Sequence, residues 1–343
     1  MMAGPQPWRT AASARIQDAG HRVKWSAKSA PAEAHEWWRR SSSTPQKSRP
    51  LVWLYRSTLQ KSGLFMRGEQ LSTMVRRHAG DRLDVSYLDE STIGSVKDSV
   101  IFTTRSFLAD ANADELNAIR RRNNVICVDY LDWPARPELH QVVDVYIASS
   151  IKQMEFYRSK YPKKKVHHIT HHADPEIRGV RGPASFCNIG YFGEVANAKH
   201  RMELQGFVGF VQTNNSEYGR RDWLHMLPHY NVHYSVRDWT FPTRGPKPGA
   251  FKPFTKGFNA ARCRANMIVP AGESDAEYYL GSDYPYLLRD DSLESVRSMV
   301  ELVKDSFRGP DWFNGLEIMA ELRRTSSPAK IVQEVETLVR DCE

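Results

Sequence analysis

The chain is 343 residues long, with 41% hydrophobic and 26% charged residues, which fits a soluble protein of about two domains. Its net charge of +8 is uneven: residues 1–50 hold nine basic and three acidic side chains and the other 293 hold 39 and 37, so the body offers no general polyanion-binding surface. No run of about 18 apolar residues could cross a bilayer, no apolar leader opens the sequence, and Cys127, Cys187, Cys263 and Cys342 form no C-x-x-C pair, which argues against a disulfide framework or structural zinc and for a cytoplasmic location.

The first 50 residues are rich in Ala, Ser and Pro and poor in aliphatic residues, as in a flexible arm. Trp8, Trp25, Trp37 and Trp38 interleave there with Arg and Lys. That composition suits either a solvated arm with some aromatics packed on the body or peripheral contact with the inner membrane face.

From Leu51 onward, short apolar runs predict strands at 51–55, 83–88, 99–104, 124–131, 143–150 and 165–170. Helical patterns lie between them at 68–79, 110–122 and 151–160. After the Pro- and Gly-bearing stretch 173–184, a second series predicts strands near 186–192, 231–236, 266–269 and 285–288, with helices near 219–227, 254–264, 292–306, 312–323 and 328–341. Pro328 suits the first turn of the last helix. Strand and helix alternating at this pitch predict an α/β chain of two Rossmann-like domains, 51–175 and 180–327, followed by a separate C-terminal helix.

The segment 244–281 carries the clearest chemistry. Arg244, Lys247, Lys252, Lys256, Arg262 and Arg264 fall within 244–264 without one acid. A Pro- and Gly-bearing loop runs there into a helix with Lys256 in its first turn. A cation at a helix N-terminus opposes the macrodipole unless an anion shares the site. Free N–H groups with one or two lysines suit a diphosphate, and ligands of parallel sheets bind at the carboxyl ends of strands. A solvated basic loop is the plainer alternative.

KPFTKGFNA (252–260) resembles a K-P-x-T-K-x-x-N-A pattern of bacterial polysaccharide sugar transferases with the GT-B fold. FNAARCRANMIV (258–269), NIGYFGEVANAKH (188–200), THHADPE (170–176) and RSTLQKSGLFMRGEQ (56–70) resemble further segments of that fold. The resemblance implies two domains about a cleft, with a nucleotide-diphosphate sugar, UDP- or GDP-linked, as donor. It places Lys252 and Lys256 on the diphosphate and Asn259 toward ribose or phosphate. Ser274 and Glu277, in GESDAE, would face the donor sugar or ribose, and Gly193 lies in the turn after the first strand of the donor domain. The E-x7-E pair of many retaining members is missing, since Phe251 and Asn259 stand at those positions. The retaining carboxylate assignment therefore does not carry over.

No D-x-D pair occurs, so neutralisation by lysine is expected in place of a metal. Candidates to take the acceptor proton follow N-terminal strands: Asp129, Asp132, Glu69, His171 and His172, with Arg105 alongside. Asp132 and His172 join Lys256 as expected catalytic residues, although Asp132 equally suits a turn cap before Trp133-Pro134. The group His167, His168, His171 and His172 does not suit a metal, because neighbouring strand residues face opposite ways. Gly63 could bring backbone close to donor phosphates, or simply turn the chain. The expected function is sugar transfer to a glycan or lipid-linked acceptor. The alternatives are transfer to a nucleic-acid base, with the arm on phosphates, and a non-catalytic sugar- or nucleotide-binding module.

Overall fold

The structure is a computed structural model, described here for residues 48–56, 65–213, 222–238 and 249–343. The amino-terminal arm, Ser62, Gly63, Arg244 and Lys247 lie outside the described residues. Among those described, two parallel sheets carry the chain, so the two-part α/β expectation holds.

The first sheet contains β1 (Leu51–Tyr55), β2 (Val85–Asp89), β3 (Val100–Thr104), β4 (Val125–Asp129), β5 (Val145–Ala148) and β6 (Lys165–His168), in spatial order β2-β1-β3-β4-β5-β6. Alternation along each strand sends residues to two buried faces. Leu51, Trp53, Val100, Phe102, Cys127 and Ile147 pack on one side, and Val52, Leu54, Ile101, Ile126, Val128 and Tyr146 on the other. Helices must therefore cover both faces, which is why these strands read as continuous apolar runs. Helix α1 (Leu71–Ala79) covers the first face, entered through a π-helical turn at Phe65–Gln70. The short α2 (Arg105–Leu108), α3 (Ala113–Arg120) and α4 (Ile151–Lys160) cover the second. Asn112 and Ser150 cap α3 and α4 by accepting from Glu115 N and Gln153 N.

The second sheet contains β7 (Ile189–Gly193), β8 (Val208–Gln212), β9 (Val232–Tyr234), β10 (Asn266–Pro270) and β11 (Leu287–Leu288), in order β11-β10-β9-β7-β8. Its helices are α5 (Thr255–Arg262), α6 (Ala276–Leu280), α7 (Leu293–Asp305) and α8 (Pro310–Thr325). The last helix, α9 (Pro328–Asp341), leaves this domain. Ile331, Val332, Val335, Leu338 and Val339 pack against Leu51, Trp53, Leu71 and Val75 on the open face of the first sheet. The C-terminal helix is thus part of the N-terminal core.

Three local expectations change. The helix expected at 219–227 is a 3-10 stretch, Asp222–His229, with Pro228 inside it, and proline supplies no N–H to continue an α-helix. β8 was not expected, because Gly209 interrupts its short apolar run and it forms the half-buried edge of its sheet. α2 and α6, of 4 and 5 residues, are too short to show a helical period.

In both sheets the strand order reverses between the first and third strands, β1/β3 and β7/β9. The carboxyl ends at such a reversal leave a crevice where ligands bind. Both crevices open toward the interdomain cleft, crossed near 170–178 and again near 326–328.

Candidate active site in the interdomain cleft

The loop 249–254 carries Lys252 across the cleft. Its ammonium donates to Asp132 Oδ2 at 2.7 Å, and Asp132 Oδ1 accepts from Arg105 at 2.6 Å. The Arg105 guanidinium lies 4.7 Å above the Trp133 ring. Burial would raise the Asp132 carboxyl, but Lys252 and then Arg105 outweigh it and hold it below the usual carboxylate range. A carboxylate so held is a weak proton acceptor. The expected pairing of lysine with donor and aspartate with acceptor is here one ion triad joining the domains.

Lys256 stands in the first turn of α5. Gly257 is required beside it, since a Cβ there would come within 2.0 Å of the Phe254 ring. Phe254 stacks on Tyr279, ring centroids 5.9 Å apart, and fixes the start of the helix. The stem of Lys256 is partly exposed, yet its ammonium is buried, has no hydrogen-bond partner among the described residues, and lies 3.7 Å above the Tyr191 ring. Burial, reinforced by the Arg237 cation, pushes this amine well below its ordinary value, with Glu273 opposing. His233, buried nearby with Nε2 unpartnered among the described residues, is pushed down to about 3 by burial and by the Lys256 cation. The Lys256 amine and the His233 imidazole, each with a buried nitrogen unpartnered among the described residues, thus lie together near the β7/β9 reversal.

The loop after β10 is the next wall. Ser274, with φ of 50°, donates to Glu273 Oε1 at 3.3 Å. Asp275 reaches the other domain: Oδ2 accepts from Ile151 N at 2.8 Å and Oδ1 from Lys152 N at 3.2 Å, at the start of α4. Lys152 Nζ donates to Gly272 O at 3.2 Å. Burial raises the Asp275 carboxyl in spite of these donors. Glu277 is turned away, in an exposed ion pair with Arg289 at 2.7 Å. Asn259 is taken up by the hinge, its Oδ1 accepting from Asp174 N at 3.0 Å. Gly193 ends β7, where a Cβ would lie 3.1 Å from the Tyr191 hydroxyl. The structure therefore brings Lys252, Asp132 and Lys256 to the cleft with Ser274 and Gly193 on its second-domain side, while Asn259 bonds the hinge and Glu277 pairs with Arg289.

On the N-terminal side, Asp129 is fully buried, with Oδ2 accepting from Arg67 Nε at 2.7 Å and Oδ1 from Leu131 N at 2.8 Å. Arg67 is itself fully buried and donates to Thr170 O at 3.3 Å. His172 Nε2 lies 3.1 Å from Gln70 Oε1, and His171 Nδ1 lies 3.0 Å from His172 O. Burial, then neighbouring cations, lowers His168 to about 4 and His171 to about 3, and lowers His172 as well. These histidines are neutral packing and hydrogen-bonding groups at neutral pH. Among the described residues no group of three metal-ligating side chains clusters, and no helix is long and apolar enough to cross a membrane.

Sequence reasoning passed over Arg67, Tyr191, His233 and Asp275. Arg67 sits inside 56–70, but arginine in a helical turn normally reads as surface. Tyr191 and His233 read as sheet core, and only their place at a strand reversal marks them. Asp275 was within reach as an acid on a loop after a strand.

No protein-family model and no curated protein matches the sequence. Solved structures do match. A glycosyltransferase from Rickettsia africae superposes with a TM-score of 0.58 at 8% identity over 86% of this chain and 99% of that one. Anabaena HepE in complex with UDP gives 0.57 at 11% identity over 85% and 100%. Sucrose-phosphate synthase from Thermosynechococcus elongatus gives 0.51 at 11% identity over 85% and 98%. Two Rossmann-like domains, a basic cleft between them and a last helix that returns to the first domain, superposed along the whole length of these structures, show that the chain has the GT-B fold.

Proposed function

We propose that this chain is a metal-independent glycosyltransferase that moves a sugar from a nucleotide-diphosphate donor, UDP- or GDP-linked, to a glycan or lipid-linked acceptor. The observation that carries this reading is the buried ammonium of Lys256, unpartnered among the described residues, at the carboxyl edge of the second sheet with Lys252 close by. A leaving diphosphate would satisfy Lys256 and draw Lys252 from Asp132. Preorganised cations of this kind stabilise developing negative charge by several kcal/mol in a site shielded from water. The HepE structures contain UDP, UDP with glucose, and UDP-glucose, which favours a uridine donor within the shared fold.

In this reading Asp132 is a positioning residue that holds Lys252 and Arg105, and it releases Lys252 as the donor arrives. Asp275 and Lys152 tie the domains on the other side of the cleft, so closure excludes water from the donor. Contact with the inner membrane face through residues 1–50 belongs to the same proposal and suits a lipid-linked acceptor.

The test is donor binding followed by donor hydrolysis. UDP or GDP should raise the melting temperature saturably, and the matching nucleotide sugar should release nucleotide diphosphate slowly in excess EDTA. No stabilisation by either nucleotide would sink the donor assignment, and loss of activity with EDTA would overturn metal independence.

A further inference from the structure

Two thiols meet under the last helix. Cys127 lies on β4 with its side chain on the face that α9 covers, and Cys342 is the first residue beyond α9. Both belong to the core cluster that α9 closes, and the Cys127 thiol is a hydrogen-bond partner of the Cys342 sulfur. The other two cysteines, Cys187 and Cys263, sit in the second domain, where burial pushes their thiols up to about 11 and about 12.

The two sulfurs differ in reach and in charge. Cys127 is sealed in the core at 0% exposure, whereas Cys342 is 7% exposed and lines a cavity of about 550 Å³ at the amino ends of β4, β5 and β6. Arg49, Arg120, Lys163, Lys164 and Lys165 line the same cavity, and Asp144, the one carboxylate among its described lining residues, is held by Arg120 at 2.9 Å. The hydrogen bond from Cys127 pulls the Cys342 thiol below its ordinary range against burial, with Lys165 assisting and Asp341 and Asp144 opposing. Burial, and then that same bond, pushes Cys127 the other way. A thiol that ionises readily among cations is the one that oxidants find, and a second thiol beside it resolves the product.

We propose that Cys342 and Cys127 are an oxidation site that takes hydrogen peroxide, with Cys342 as the attacking sulfur and Cys127 as the resolving one. The Cys342 thiolate attacks one peroxide oxygen and the O–O bond breaks. Cys342 becomes a sulfenic acid, and the departing hydroxide takes up the proton the thiol gave up and leaves as water. The Cys127 sulfur then attacks the Cys342 sulfur, the S–O bond breaks, and hydroxide leaves with the Cys127 proton as a second water. Two thiols are oxidised to one disulfide, and one peroxide is reduced to two waters. Cys342 follows the last turn of α9 and its N–H bonds back only into that turn, so the sulfurs can close without unwinding the helix. The bond ties the far end of α9 to the first sheet, and the helix that comes across from the second domain can no longer peel away. Disulfides of reducing compartments are transient and redox-sensing, which suits such a pair. The site stands independently of the nucleotide-sugar reading.

The test uses the full chain, reduced, freed of reductant and treated with hydrogen peroxide beside free cysteine as an internal standard. Remaining thiols are alkylated in denaturant, and the digest is mapped by mass spectrometry. By the dose that fully oxidises the free cysteine, the wild-type map should show Cys127 joined to Cys342, with Cys187 and Cys263 still alkylated. In Cys127→Ala, dimedone should capture a sulfenic acid at Cys342, and in Cys342→Ala both the joined peptide and the dimedone adduct should be absent. Joined wild-type protein should melt at least about 3 °C above the reduced protein, and dithiothreitol should reverse the shift. Cys127 and Cys342 both alkylated after that dose would overturn the pair, as would a bond from either to Cys187 or Cys263. A wild-type dimedone adduct on Cys127 in place of Cys342 would overturn the assignment of the attacking sulfur. Joined protein that melts below the reduced protein would overturn closure of the bond within the native packing.

Discussion

Lys256→Met separates what the amine costs the fold from what it does for a ligand. The substitution keeps a long unbranched side chain over the Tyr191 ring and removes the charge. A buried donor left unsatisfied costs about 1–3 kcal/mol. Against this, a desolvated cation over an aromatic face returns about 2 kcal/mol, and methionine keeps about 0.3–1.5 kcal/mol through its sulfur contact with the ring. The two sides nearly cancel, so the free variant should melt within about 3 °C of the wild type or slightly above it. Diphosphate binding should behave otherwise, because a charge-assisted hydrogen bond of about 1.5–3 kcal/mol is lost and affinity falls about 10- to 150-fold. Titration calorimetry supplies a second readout. Since burial depresses the amine, an arriving diphosphate should raise it again, and across the pH range in which the free amine titrates the heat of wild-type binding should vary with buffer ionisation enthalpy. In Lys256→Met that dependence should vanish. A variant that melts many degrees lower yet binds UDP and GDP as well as the wild type would refute the assignment of Lys256 to the donor.

Arg67→Met should destabilise by about 3–5 kcal/mol in urea unfolding, since it strands the Asp129 carboxylate in the core, and adding Asp129→Leu should recover most of the loss. Asp275→Ala should cost about 1–2 kcal/mol by leaving Ile151 N and Lys152 N at the start of α4 without their acceptor, with Asp275→Asn nearer neutral. Small-angle scattering should show a more open Asp275→Ala protein, and unchanged dimensions would refute its interdomain role. His171 and His233 have folded pKa values of about 3, below the usual 6.5, so the stability they contribute is complete above about pH 6.5 and is lost as pH falls toward 3. Each such histidine takes about 1.4 kcal/mol per pH unit in that window, and melting temperatures that stay flat from about pH 7 to pH 5 would contradict their buried neutral state.

The fold was legible because its signal is repetitive. Strands such as LVWLY and VIFTT are apolar at every position, and only a sheet covered on both faces asks for that. The short helices and the glycine-interrupted edge strand escaped because neither shows a full period. The site was half legible. Lys252 and Lys256 stand out as cations in a loop without acids, and the structure puts both at the cleft. The motif resemblance put Glu277 and Asn259 on the donor, but a motif does not tell which way a side chain turns: Glu277 pairs with Arg289, and Asn259 Oδ1 accepts from Asp174 N at the hinge. Buried charge was the hardest to see. Arg67 with Asp129, 62 residues apart, and Asp275 with Ile151, 124 apart, become partners only through tertiary contact.

The return of α9 to the first domain sets an order of events during synthesis. The N-terminal sheet is complete in sequence by His168, yet Leu51, Trp53 and Leu71 stay uncovered on one face until residues 328–341 have left the ribosome. The roughly 160 residues in between take about 10–30 s to translate. During that interval the nascent chain carries an apolar stripe whose partner does not yet exist, so the core of the first domain can be completed only after the whole second domain has been synthesised. The helix that closes the stripe is the last one made, so the first domain's covering waits on the far end of the chain.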